Sequence, residues 1–153
     1  MASISVFLGG TVANSNWRTS FTTALTEAGV DSETIFNPVV SDWTPECQAA
    51  EDAAKATSKY NLFYLCDPQQ EGNPVSVYSL VEAVMGMYDR PTNTVVVFDN
   101  SGYSGHTLKA LAKSEKDLRQ RFPNGLVFGS RGEALSFLVS KLGKVTSGVG
   151  LWA

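Results

Sequence analysis

The sequence predicts an α/β domain in which helices cover both faces of a parallel sheet. Two observations carry that reading. Short apolar runs alternate along the chain with segments of helical period, in the order β-α-β-α-β-α-β-α-β-α. The runs are rich in β-branched and aromatic residues, the mark of strands covered on both faces. Residues 3–8, 60–65 and 94–98 form the strong runs, and 34–36 and 126–128 the weaker ones. Right-handed crossovers then give a single doubly wound domain, flavodoxin-like or Rossmann-like, with five strands most simply ordered 2-1-3-4-5.

Each helix has a local justification. Trp17, Phe21, Leu25 and Ala28 make one stripe; residues 14–16 offer caps before it and Gly29 ends it. Residues 45–59 are alanine-rich, with Pro45 at a favourable first position. In the segment 76–88, Val77, Leu80, Val81, Val84, Met85 and Tyr88 form an apolar stripe, which leaves Ser79, Glu82 and Gly86 on a different face. Leu108, Leu111 and Leu118 mark a helix over 106–119, and Ala134, Leu135, Leu138 and Leu142 one over 131–142. Residues 1–143 are thus expected as one domain, and 144–153 as a glycine-rich tail that is loose or packs on a partner subunit.

The 153 residues are 43% hydrophobic and 18% charged, which suits one domain able to bury most of its apolar surface. A net charge of −3 gives no attraction for nucleic-acid polymers or an anionic membrane. With one histidine, His106, and two cysteines, Cys47 and Cys66, a zinc site would need carboxylates for most of its ligands. No metal is expected. The first ten residues carry no basic stretch and no run approaches the length of a membrane span, so a cytoplasmic protein with reduced thiols is expected. Both cysteines read as small buried apolar side chains.

In a doubly wound sheet, ligands bind beyond the carboxyl ends of the strands where strand order reverses, here between the first and third strands. Gly9, Gly10 and Thr11 follow the first strand, either as a tight turn or as a loop that lets a ligand approach the backbone. Asp67 ends the third strand, as a turn or cap residue or as one of a pair of acids with Glu82. Ser76 opens the following helix, as a plain cap or beside free amides suited to a phosphate or sugar hydroxyl. Asn37, Asp42 and Trp43 follow the second strand, and Trp43 is either a wall for a flat heteroaromatic ring or a staple onto the next helix. Nothing in the sequence pairs with His106, which starts the fourth helix.

These pieces together resemble the nucleoside 2-deoxyribosyltransferase family and its nucleotide N-glycosidase relatives. The matching segments are Val6-Phe7-Leu8-Gly9-Gly10, Phe36-Asn37-Pro38 with Asp42-Trp43, Leu62-Phe63-Tyr64-Leu65-Cys66-Asp67, the run from Pro74 to Glu82, and Val95-Val96-Val97-Phe98, in the family's order. The resemblance implies that Glu82 is a nucleophile attacking the sugar C1′ and that Asp67 lies near the leaving base. It implies substrate contacts at Phe7, Gly9, Gly10, Thr11, Asn37, Asp42, Trp43, Ser76 and Ser79, no cofactor, and a homodimer or higher homo-oligomer whose subunits complete one another's sites. Nucleoside-using members carry an acid six residues before the glutamate, whereas nucleotide-using relatives have serine there, as Ser76 stands here. The chain departs from the family at Phe7, where a tyrosine commonly orients the glutamate. It also departs after Glu82, where glycine is delayed to Gly86, and in residues 99–103, which lack an arginine.

The implied activity is cleavage or transfer at the N-glycosidic bond of a nucleoside or nucleoside 5′-monophosphate. Two readings from other classes compete with it. One is a flavodoxin-like FMN electron carrier, using residues 10–15 as a hydroxyl-rich phosphate loop and Trp43 or Tyr103 against the flavin; a yellow preparation would mark it. The other is a non-catalytic nucleotide binder, marked by stoichiometric binding without release of free base.

Overall fold

The computed structural model describes residues 3–12, 15–68 and 74–144. Five parallel strands, β1 (Val6–Gly10), β2 (Ile35–Phe36), β3 (Tyr60–Tyr64), β4 (Thr94–Val97) and β5 (Leu126–Phe128), form one sheet in the order β2-β1-β3-β4-β5. Among the described residues four helices connect them, α1 (Trp17–Glu27), α2 (Pro45–Thr57), α3 (Val77–Asp89) and α4 (Gly105–Arg121), and α5 (Arg131–Leu142) follows β5. A 3-10 turn, Ser32–Thr34, leads into β2. The expected fold class and strand order are the observed ones. The tail beyond Lys144 lies outside the described residues.

Strand alternation sorts the apolar side chains into two cores. Val6, Leu8, Leu62, Tyr64, Val95 and Val97 meet Trp17, Phe21 and Leu25 of α1 and Ala134 and Leu138 of α5 on one face. On the other face Phe7, Phe63 and Val96 meet Ala54 of α2, Ala83 and Met87 of α3, and Leu111 and Leu118 of α4. Both faces are covered, so each strand is apolar at successive positions.

Three expectations need correction. The first strand begins later than residue 3 and runs through both glycines, because Gly9 pairs with Phe63 and Gly10 with Tyr64 on β3. A Cβ at Gly9 would lie 2.7 Å from the Phe63 ring, and one at Gly10, whose φ is +127°, would overlap the Tyr64 backbone. Positive φ and the bulk of β3, rather than a loop, account for this pair.

The second correction concerns α3. Its residues Ser79, Ala83 and Met87 face the sheet, while Val77, Val81, Met85 and Tyr88 of the apolar stripe are exposed and Leu80 and Val84 are only partly buried. The helix sits close to β4: a Cβ at Gly86 would meet Thr94 Oγ1 at 2.8 Å. Small residues permit that approach, so the bulky stripe turns outward. Third, Cys66 is buried, but Cys47 is half-exposed, near the start of α2, where it receives a hydrogen bond from the Thr44 hydroxyl at 3.3 Å.

Candidate functional site

At the carboxyl ends of β1 and β2, between α2 and the start of α3, lies a cleft of about 330 Å³. Its floor is Phe7, buried and stacked on Phe36 of β2 with ring centroids 5.7 Å apart, continued by Gly9 and Gly10. One wall is the first two turns of α3. Ser76, Ser79 and Glu82 recur every three residues, which keeps them on the cleft side of the helix. Ser76 caps α3: its hydroxyl accepts from the Ser79 N–H at 3.4 Å and donates to Ser79 Oγ at 2.7 Å. The opposite wall is Trp43, Glu51 of α2, and the exposed segment Val39 and Val40. Trp43 is 61% exposed, so it is a wall of the cleft and not a buried staple.

Glu82 is 11% exposed at its side chain, and its Oε2 accepts from Lys55 Nζ at 2.6 Å. That ammonium also lies 5.9 Å from the centre of the Phe7 ring. Burial would lower the Lys55 pKa, but the hydrogen bond and charge of Glu82, with Glu51 and Asp52 behind them, raise it on balance. Glu51 stands one turn before Lys55 on α2. Burial pushes its pKa above the ordinary glutamate value; Glu82 and Asp52 add to the rise, and Lys55 and Arg18 oppose it.

Arg18 lines the cleft from behind β1. Its guanidinium donates to the carbonyls of Leu8 at 2.9 Å, Thr11 at 2.9 Å and Gly10 at 3.1 Å. Burial lowers its pKa to about 10, against the pull of Glu51. The side chain therefore fastens the end of β1 and the residue after it to α1.

The other expected residues lie around the cleft. Thr11 is buried: its N–H donates to Tyr64 O at 2.8 Å and its carbonyl accepts from Trp17 Nε1 at 3.1 Å. Asn37 is exposed and accepts from the Val39 N–H at 3.0 Å, a local turn, and Asp42 is exposed beside the start of α2. Asp67 is 1% exposed, lies beyond the cleft walls, and accepts from the Ser15 hydroxyl at 2.6 Å. Close by, burial pushes the Cys66 thiol and the Tyr103 phenol up to about 12. Cys66 Sγ donates to the Asp99 carbonyl at 3.1 Å. His106 is exposed on the first turn of α4. Among the described residues, no group of three or more His, Cys, Asp or Glu is arranged to hold a metal ion.

The family model for nucleoside 2-deoxyribosyltransferase-like proteins matches residues 3–101. The chain belongs to that family. The match to the nucleoside 2-deoxyribosyltransferase-like model spans β1 to the loop after β4 and so includes the whole cleft; α4, β5 and α5 fall beyond it. No curated protein and no solved structure matches the chain significantly. Membership gives this nucleoside 2-deoxyribosyltransferase-like protein a role in glycosyl transfer with small nucleoside-type substrates, at the level of the family. Among the described residues, no helix is long and apolar enough to cross a membrane.

Arg18, Glu51 and Lys55 were not foreseen as site residues. Each is a charged residue on a helix, where a solvated face is the ordinary reading. A signal was present in the spacing: Glu51, Ala54 and Lys55 share one side of α2, and Arg18 adjoins the buried Trp17.

Proposed function

We propose that the protein is a cytoplasmic enzyme that cleaves or transfers the N-glycosidic bond of a nucleoside or nucleoside 5′-monophosphate, with Glu82 as the nucleophile. The observation that carries this reading is the cleft wall formed by Ser76, Ser79 and Glu82 on one side of α3, over the side-chain-free end of β1. A sugar lying on Gly9 and Gly10 meets the Glu82 carboxylate from the side, and Trp43 offers the stacking surface for a base. Ser76 Oγ and the first-turn amides of α3 suit a 5′-phosphate, and serine adds no charge to repel it.

The chemistry follows the retaining glycosidase scheme. Glu82 forms a bond to C1′ as the C1′–N bond breaks and its electron pair leaves with the base. Water then frees the sugar, or a second base accepts it. Asp67 belongs to the leaving-base side in this reading and acts through Ser15 or a water that it orients, since its carboxylate is covered. The residues assigned to these steps call for no metal or redox cofactor. A homo-oligomer is part of the reading, supported by the outward apolar face of α3.

Incubation with mixed nucleosides and nucleoside 5′-monophosphates, followed by chromatography for free bases, tests it. The wild type is expected to release base, and Glu82→Ala to release none above the uncatalysed background. Turnover by Glu82→Ala within a few-fold of wild type would sink the nucleophile assignment.

A further inference from the structure

We propose that Glu51 is the group that delivers the proton to the departing base. The inference rests on the N-glycosidic reading above and adds the acid that it leaves without direct contact. Asp67 is 1% exposed and outside the cleft, whereas Glu51 and Glu82 both line it. Glu51 stands on the wall that also carries Trp43, where a stacked base would lie; Glu82 stands on the α3 wall, where the sugar would lie. Lys55 joins the two walls by pairing with Glu82 at 2.6 Å.

The charges around Glu51 divide the labour between the two acids. Burial raises its pKa, with Glu82 and Asp52 adding to the rise and Lys55 and Arg18 opposing it, so that on balance it lies above the ordinary glutamate value. An acid whose pKa is raised, across a cleft from a carboxylate held by an ammonium, is the arrangement that a proton donor and a nucleophile require. In the first step Glu51 O–H gives its proton to a ring nitrogen of the base, the C1′–N bond breaks toward that nitrogen, and a Glu82 oxygen bonds to C1′. In the second, Glu51 as carboxylate takes a proton from the attacking water, whose oxygen bonds to C1′ as the bond to Glu82 breaks. The proton count closes, and both acids return to their starting forms.

The test compares ordinary purine nucleosides with N7-methylated ones, whose base is already cationic and leaves without a proton. Glu51→Gln is expected to lower kcat/KM by about 10²- to 10⁴-fold on the ordinary substrates. On the methylated substrates it should change little, and the loss of rate at alkaline pH expected of wild type on ordinary substrates should be absent from the variant. Glu51→Ala, rescued by added formate buffer on ordinary substrates alone, covers the case in which Gln disturbs the fold. Wild-type rates in Glu51→Gln, or losses on both substrates with no rescue of Glu51→Ala, would overturn the assignment. So would this substrate-selective pattern in Asp67→Asn instead. If the wild type releases no base from either substrate class, the glycosidic reading itself fails and Glu51 falls with it.

Discussion

Lys55 holds the Glu82 carboxylate that the family resemblance would have a tyrosine hydroxyl in the first strand orient. Phe7 has no hydroxyl to offer, and the ammonium 2.6 Å from Glu82 Oε2, beside the Phe7 ring, takes its place. Lys55→Met keeps the bulk and removes that hold. A drop of about 10²-fold in kcat with KM within a few-fold of wild type is expected from steady-state kinetics, since small misplacement of a reacting group is that costly. Glu51 carries a stability signature of its own. Its folded pKa is raised, so its contribution to stability is full below the unfolded pKa and declines as pH rises through the folded one. Glu51→Gln should therefore match wild type in acid and exceed it near neutrality in urea denaturation. A variant less stable than wild type at neutral pH would contradict this balance. None of this was legible from the sequence, because a glutamate four residues before a lysine on a helix also describes an exposed surface pair.

At the scale of elements, α3 is the piece whose sequence pattern misleads. Its period is helical and its limits match expectation, but the side turned to the sheet is set by Ala83, Gly86 and Met87, and small residues leave no mark on a hydrophobic stripe. The same reversal is why the candidate site was partly legible: Ser79 and Glu82 were already apart from the stripe, on a side able to reach the cleft, and Ser76 stood at the helix entry. Substitution separates the two sides. Met87→Ala should cost about 2–5 kcal/mol in chemical denaturation by opening a cavity in the core. Val81→Lys and Met85→Lys should stay within about 0.5 kcal/mol of wild type as monomers. If a second copy covers this face, the same lysines should reduce the mass measured by light scattering to that of one chain. Unchanged mass in an oligomeric wild type would place the interface elsewhere.

Over the whole molecule, the fold was readable because every strand is covered on both sides. Both faces of β1, β3 and β4 must be apolar, and that leaves a dense, unambiguous mark at three places in the chain. Edge strands leave less: β2 pairs through two residues, and the 3-10 turn before it carries the polar Ser32, Glu33 and Thr34. The switch point followed from topology alone, so the location of the cleft was available before any side chain was placed. What topology could not supply was which acids share the cleft, since that depends on how far α2 leans over β1.

The bare end of β1 has one more consequence. Phe63 fills the volume beside Gly9 that a side chain on β1 would otherwise take, so the two positions divide a fixed space between them. They should vary as a unit. Gly9→Ala alone should destabilise the protein, and shortening Phe63 to Leu should recover part of that loss, with a coupling energy of about 0.5–3 kcal/mol in a double-mutant cycle. Strict additivity would mean that the backbone of β3 rather than the ring is the obstacle. Coupling in that range would instead make a ring on β3 the group that keeps the end of β1 free of side chains.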